Sequence, residues 1–226
     1  MQNELQKQII GKIRAEKMIV ILRGITPDRI LPTVEAVLKG GVSLLEITFD
    51  HASEEKRCET PAMIAAVRKS FGDRVSLGAG TVLTVGDVDD AAGAGAAFMI
   101  SPDTNVDVIR HTVKRGLVSI PGAYTPSEIT RAYEAGADFV KLFPLTGDAA
   151  AYIKAVRAPL GFIPMLAVGG VNLDNVAQIM TTGVCGIGIS SGVVKAAEVA
   201  SFTSDADYAV ITERVRRYQQ CLNANT

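Results

Sequence analysis

The sequence predicts an α/β protein: a single (β/α)₈ barrel, or TIM barrel, with an extra N-terminal helix. Eight short apolar, β-branched runs alternate with longer segments of helical period, and each pair has the length of one β-α unit. The 226 residues, 48% of them hydrophobic, suit a barrel of about 250 residues with a large core. The turn 23–27 lacks the Gly-x-Gly-x-x-Gly fingerprint of a dinucleotide-binding open sheet, which favours the closed barrel over the doubly wound alternative.

Each element follows from its own residues. The predicted strands are 18–24, 43–50, 75–81, 98–102, 117–122, 139–144, 165–170 and 186–191. Start and stop signals predict helices at 6–16, 28–39, 60–71 (with Pro61 in its first turn), 125–135, 172–180 and 206–222. No Pro/Ser-rich or low-complexity stretch interrupts the series. We therefore predict one domain, 1–226, with an N-terminal helix in 1–17, the barrel in 18–195 and a C-terminal helix in 205–222.

Composition excludes several classes of function. A net charge of -1 lacks the basic surface of a general nucleic-acid binder, and the absence of Trp leaves few stacking platforms. No apolar run reaches the roughly 18–20 residues of a membrane-spanning helix. Residues 1–16 lack the apolar core of a secretory signal. Three scattered cysteines without a Cys-x-x-Cys pair indicate neither a disulfide framework nor a zinc site, so we expect a cytoplasmic protein.

The most informative residue is a lysine inside an apolar strand. Alternation along 139–144 directs Lys141 into the barrel, and alternation along 43–50 directs Glu46, Thr48 and Asp50 into its mouth. A lysine whose pKa is lowered by desolvation and positive neighbours is a nucleophile towards a ketone, with Glu46 as general acid/base. The alternative is a buried Lys141–Glu46 salt bridge with no chemical role.

The last two predicted strands end in small and hydroxyl residues. Gly169-Gly170 precedes a helix capped by Asn172, and Ser190-Ser191 ends the eighth strand. Loops after strands seven and eight are where barrels bind phosphate, and bare glycine amides can approach its oxygens. We expect a phosphate site here, against the alternative of ordinary turn glycines.

Two weaker signals predict further residues of the site around Lys141 and Glu46. Gly78-Ala79-Gly80-Thr81 offers space for a ligand and a hydroxyl, and Arg23 offers a cation for a carboxylate or phosphate. The three residues Glu46, Asp50 and His51 could instead hold a divalent metal. His51 has the opposite strand parity, so no metal site is predicted.

Taken in order, several motifs resemble those of the class I aldolases that cleave 2-keto-3-deoxy-6-phosphogluconate (KDPG) and 4-hydroxy-2-oxoglutarate (KHG), over nearly the whole chain. These motifs are Ile21-Leu22-Arg23, Leu45-Glu46-Ile47-Thr48, Gly78-Ala79-Gly80-Thr81, Ser101-Pro102, Pro121-Gly122, Thr125-Pro126-Ser127-Glu128, Val140-Lys141-Leu142-Phe143-Pro144 and Gly169-Gly170-Val171-Asn172.

The resemblance implies a (β/α)₈ barrel, a homotrimer and no metal or organic cofactor. It implies a Schiff base between Lys141 and the substrate ketone, with Glu46 as acid/base. Further implied positions are Thr81 and Arg23 at the pyruvyl carboxylate, Phe143 and Pro102 around the ketone, and Gly169, Gly170 and Ser191 at the phosphate.

Some residues depart from the family pattern. Asp50 stands where many members carry an arginine, Val168 replaces a threonine, and Ser190 replaces a glycine. The stretches 22–28 and 167–171 look closer to the 2-keto-3-deoxy-6-phosphogalactonate branch. That epimer is therefore the alternative substrate. A phosphate-binding barrel isomerase or epimerase and a catalytically silent phosphosugar-binding protein are the rival functions.

Overall fold

A computed structural model describes residues 2–224 and shows parallel strands alternating with helices. The strands are β1 Met18–Leu22, β2 Leu44–Thr48, β3 Ser76–Gly80, β4 Phe98–Ile100, β5 Val118–Ile120, β6 Gly122–Ala123, β7 Val140–Leu142, β8 Met165–Val168 and β9 Gly186–Ile189. The helices are α1 Glu4–Glu16, α2 Ile30–Lys39, α3 Glu54–Phe71, α4 Val85–Gly93, α5 Val106–Lys114, α6 Pro126–Glu134, α7 Ala149–Leu160, α8 Val176–Met180, α9 Ala196–Ala200 and α10 Ala209–Asn223. None of these helices combines the length and hydrophobicity of a transmembrane segment.

The sheet order β5-β4-β3-β2-β1-β9-β8-β7-β6 confirms the predicted barrel. The fifth predicted strand appears as two pieces, β5 and β6, separated by Pro121. They occupy the two ends of the nine-strand order. The carbonyl groups of Ser119 and Pro121 accept hydrogen bonds from the backbone N–H groups of Phe139 and Lys141, at 3.3 and 2.8 Å, so one strand bridges both edges. Because β5 and β6 are two segments of one strand, the nine segments form a barrel of eight strands.

Strand alternation separates two cores, as the sequence predicted. Leu45, Ile47 and Phe49 pack outwards against the helices, whereas Leu44 and Phe139 belong to an inner cluster. Helix α1 supplies Ile9 and Ile13 to that inner cluster. The extra N-terminal helix thereby closes the amino-terminal end of the barrel, and the opposite end is left for the site.

Several helix boundaries differ from the predictions. Helix α3 begins at Glu54 rather than at residue 60, because the Ser53 hydroxyl caps it by accepting the Lys56 N–H. Pro61 consequently lies inside the helix and not in its first turn. Helix α8 begins at Val176, since Asn172 accepts N–H groups of the preceding turn.

The other boundaries agree within three residues. Helix α2 begins two residues later than predicted, and a 3₁₀ turn, Asp205–Tyr208, leads into α10. Residues 1, 225 and 226 of the predicted 1–226 domain lie outside the described part of the chain, and the single-domain division stays a prediction.

Candidate active site

A cavity of about 140 Å³ opens at the carboxyl ends of the strands, where the barrel was predicted to carry its chemistry. Eight of the ten predicted site residues line it: Arg23, Glu46, Lys141, Phe143, Gly169, Gly170, Ser190 and Ser191. A larger groove of about 810 Å³ lies outside the barrel between α2 and α10 and contains none of them. The buried ionisable residues, and not size, identify the smaller cavity as the candidate active site.

Glu46 and Lys141 are both withdrawn from water in this cavity. Glu46 is 0% exposed and Lys141 is 5% exposed. Neither carboxylate oxygen of Glu46 has a hydrogen-bond partner among residues 2–224, and no Lys141–Glu46 ion pair within 4.0 Å is present there. The alternative of a closed, purely structural salt bridge is therefore wrong. An unpartnered buried carboxylate is costly, which is typical of a group kept for function.

Burial shifts the pKa values of both groups towards their neutral forms. Desolvation raises the pKa of Glu46, against the opposing charges of Lys141 and Arg23. Desolvation lowers the pKa of Lys141; the Glu46 charge opposes that shift and the Arg23 charge adds to it. The Lys141 ammonium nitrogen lies 4.5 Å from the centroid of the Phe143 ring. A lysine that releases its proton more readily is better prepared for attack on a carbonyl carbon.

The position of Glu46 depends on a glycine in the next strand. Gly80 pairs with Thr48, and a Cβ atom at Gly80 would lie 1.6 Å from Glu46 Oε1. Similarly, a Cβ at Gly78 would fall 2.1 Å from the Phe98 ring. The prediction that these small residues leave space for a ligand is wrong, because Glu46 and Phe98 already fill that space.

Replacing Gly80 by alanine should displace the Glu46 carboxylate and reduce turnover. General acid/base assistance contributes about 10²–10⁴-fold, and a displaced carboxylate loses part of it, so we expect a roughly 10- to 100-fold loss in kcat. Steady-state kinetics would measure it. The matched control is Gly93→Ala, where the added Cβ meets nothing within 4 Å. Equal activity in the two variants would contradict the interpretation.

Arg23 and Thr81 meet at one side of the mouth. Arg23 follows the interior-facing residues of β1, is exposed at the rim, and donates from Nη2 to Thr81 Oγ1 at 3.0 Å. Thr81 itself does not line the cavity; it contributes through this contact. The pair combines a cation and a hydroxyl, which suit a carboxylate.

The opposite side of the mouth is built from backbone. Gly169 and Gly170 have φ values of +80° and +68°, a left-handed conformation that favours glycine. The N–H groups of Gly170, Val171, Ser191 and Gly192 donate no hydrogen bond to another residue within 2–224. Unpaired amides facing a cavity are donors for an anion.

Pro102 and Asp50 lie apart from this arrangement. Pro102 does not line the cavity; its carbonyl oxygen would be 2.3 Å from a Cβ at Gly122. Asp50 lies beyond the end of β2, where its carboxylate accepts the Ala52 N–H and approaches Lys56 at 3.9 Å. The interior alternation thus ends at Thr48, and the prediction that Asp50 points into the mouth is not confirmed.

The alternative metal site does not form. The His51 ring is directed to the Thr81 carbonyl, and Asp50 to its own loop. Among the described residues, no group of three or more His, Cys, Asp or Glu side chains could hold a metal ion.

Six further residues line the cavity without having been predicted as site residues: Ile21, Val168, Val171, Gly188, Ile189 and Gly192. Ile21 has the same strand parity as Arg23, and Val168 precedes Gly169. Extending the alternation along those two strands would have found both of them.

Comparison with known proteins agrees with this geometry. The family described as "Aldolase: KDPG and KHG aldolase" matches residues 9–213. The 2-dehydro-3-deoxy-6-phosphogalactonate aldolase of Escherichia coli K12 is 36% identical over 86% of this chain and 92% of its own. The structure of a Legionella pneumophila KDPG aldolase, with pyruvate captured as a covalent carbinolamine, is 25% identical with a TM-score of 0.78, covering 92% and 96% of the two chains.

A third similar structure is a cube-shaped protein cage designed by fusing symmetric oligomeric domains. It is 35% identical with a TM-score of 0.79, covering 92% of this chain and 74% of that one.

Fold and site together define a barrel lyase that acts on carbon–carbon bonds, a class I aldolase. The chain belongs to the KDPG and KHG aldolase family.

Proposed function

We propose that this aldolase cleaves a 2-keto-3-deoxy-6-phospho sugar acid to pyruvate and glyceraldehyde 3-phosphate, with Lys141 as the Schiff-base residue. The same residues would cleave 4-hydroxy-2-oxoglutarate to pyruvate and glyoxylate. The observation that carries the proposal is the buried Lys141 in one cavity with Glu46, which has no hydrogen-bond partner among residues 2–224. Arg23 lies on one side of this cavity, and amides without a partner in the same described range lie on the other.

The neutral Lys141 amine attacks the C2 ketone and gives a carbinolamine, which loses water to form an iminium. Glu46 accepts the C4-hydroxyl proton through a water molecule while the C3–C4 bond breaks. The electron pair of that bond flows into the iminium, and the aldehyde leaves. The resulting enamine is protonated at C3, and hydrolysis releases pyruvate and regenerates Lys141. Since the lysine supplies the electron sink, the proposed mechanism requires no metal or organic cofactor.

Binding is divided between the two sides of the mouth. Arg23 and Thr81 would hold the carboxylate of the pyruvyl end, with Phe143 near the ketone. The amides around Gly169, Gly170, Ser190 and Ser191 would hold the phosphate. The left-handed backbone of Gly169-Gly170 at the cavity wall supports this division, because without side chains these residues let a ligand approach their amides.

Replacing Gly170 by alanine should weaken binding of phosphorylated substrate selectively. Its Cβ would lie 2.2 Å from the Leu145 carbonyl oxygen, so the loop must shift. The loss of about one hydrogen bond predicts a roughly tenfold rise in KM for the phosphorylated substrate. KM for 4-hydroxy-2-oxoglutarate should change little.

Gly147→Ala is the matched control, because Gly147 also has a positive φ, of +60°, but a Cβ there meets nothing within 4 Å. A parallel rise in KM for both substrates, or an equal rise in the control, would remove Gly170 from the phosphate site.

The direct test is incubation with pyruvate and borohydride followed by peptide mass mapping. We expect a pyruvyl increment on Lys141, and its absence would overturn the Schiff-base mechanism. Values of kcat/KM for the gluconate epimer, the galactonate epimer and 4-hydroxy-2-oxoglutarate would then identify the main substrate. Similarity to the Escherichia coli enzyme makes the galactonate epimer the second candidate.

The expected assembly is a homotrimer in the cytoplasm. A similar chain in a cage built from symmetric oligomeric domains supports a homo-oligomer. Cys58 and Cys185 are free thiols, which is compatible with a reducing compartment. Light scattering coupled to size-exclusion chromatography would measure the number of subunits.

A further inference from the structure

Thr81 has an unusual backbone for a β-branched residue. Its φ is +55°, and only Lys17 shares a positive φ among the non-glycine residues within 2–224. The left-handed region costs such a residue about 1–3 kcal/mol, so surrounding contacts must hold it there. In this conformation the Thr81 hydroxyl accepts the Arg23 Nη2 hydrogen bond at 3.0 Å.

His51 provides such a contact from the neighbouring loop. Its Nε2 lies 2.9 Å from the Thr81 carbonyl oxygen. A carbonyl can only accept, so Nε2 carries the hydrogen and the ring is the donor. The bond joins the loop after β2 to the loop after β3 at the residue with the strained backbone.

The ring of His51 is itself held in place. It lies 5.8 Å from the Phe49 ring and 3.9 Å from Asp87 Oδ2. Asp87 is buried and accepts the Leu83 and Thr84 N–H groups at 3.0 Å, while Arg57 Nη1 contacts its other oxygen at 2.9 Å. The imidazole therefore lies between an aromatic ring and a buried carboxylate that hydrogen bonds hold in place.

We propose that His51 is a positioning residue for substrate carboxylate binding. Its Nε2–H holds Thr81 in the left-handed conformation that presents the hydroxyl to Arg23. The hydroxyl in turn keeps the guanidinium at the cavity. This inference rests on the proposed function, in which Arg23 and Thr81 bind the pyruvyl carboxylate.

The test compares two substitutions of His51 by amide side chains of different length. In His51→Gln the side-chain NH₂ can occupy the place of Nε2 and keep the donor. In His51→Asn the NH₂ is one carbon short. We expect His51→Asn to raise KM, and the pyruvate concentration for half-maximal borohydride trapping, about 3- to 10-fold, with kcat within twofold. His51→Gln should stay within twofold of the parent protein on all three measurements.

His111→Asn is the control, because its ring bonds Asp89 Oδ1 at 2.9 Å between α4 and α5, and it should change nothing. Circular dichroism would check that each variant folds. Equal KM in the Asn and Gln variants, or a fall in kcat with KM unchanged, would overturn the positioning role. If the parent protein traps no pyruvate, the proposed function fails instead, and this result is distinguishable from failure of the His51 inference.

Discussion

Replacing Lys141 by methionine is expected to abolish pyruvate formation, with kcat falling by about 10⁴-fold or more. The covalent route loses its nucleophile, and no electron sink remains for C3–C4 cleavage. Methionine suits the same apolar surroundings, so we expect the variant to fold with an unchanged or raised Tm. A coupled assay for pyruvate and a thermal unfolding scan would measure the two effects.

The control for Lys141 is Lys154→Met on the exposed face of α7, which should keep full activity. The borohydride increment should vanish in Lys141→Met and persist in Lys154→Met. Residual turnover within tenfold of the parent in Lys141→Met would show that this lysine is not the Schiff-base residue.

Replacing Glu46 by glutamine is expected to lower kcat by about 10²–10⁴-fold without preventing the Schiff base. The amide cannot accept the C4-hydroxyl proton, although it occupies nearly the same volume. Single-turnover kinetics should therefore show slow cleavage, while pyruvate and borohydride should still label Lys141. Loss of labelling together with turnover would instead indicate that Glu46 serves mainly to place the lysine.

We also expect the Glu46→Gln variant to change how the thermal stability of the protein depends on pH. Because burial raises the pKa of Glu46 above its ordinary value, the folded protein binds this proton more tightly than the unfolded chain. This proton contributes its full stabilisation at pH values below the pKa that Glu46 has in the unfolded chain. The contribution is lost as the pH rises through the higher pKa that Glu46 has in the folded protein. Glutamine has no such loss. The Tm of Glu46→Gln relative to the parent should therefore increase from pH 5 to pH 8, and a constant difference would contradict the raised pKa.

Local patterns predicted the strand faces well because strand alternation is a property of the chain itself. Phe139 and Lys141 point inwards, and Val140 and Leu142 point outwards, as expected. The Thr125–Glu128 capping signal likewise predicted the start of α6. The predicted start of α3 is wrong, because Ser53 caps the helix and Pro61 lies inside it.

Contacts between strands could not be derived in the same way. Gly80 was interpreted as space for a ligand, whereas that space belongs to Glu46 from the neighbouring strand. Strand alternation predicts Asp50 in the mouth of the barrel. Its carboxylate instead accepts the N–H of Ala52, two residues further along the same loop. Both depend on what packs against a residue, and a single sequence does not specify its neighbours.

The sequence by itself determined the barrel class, the inward direction of Lys141 and Glu46, and the small residues after the last two strands. These follow from periodicity and residue chemistry, which are local. Only the tertiary structure decided that Glu46 has no hydrogen-bond partner in the described part of the chain, that Arg23 bonds Thr81, and that His51 reaches the Thr81 carbonyl. Each of these joins residues from different β-α units, and their separation depends on strand register and loop conformation throughout the barrel.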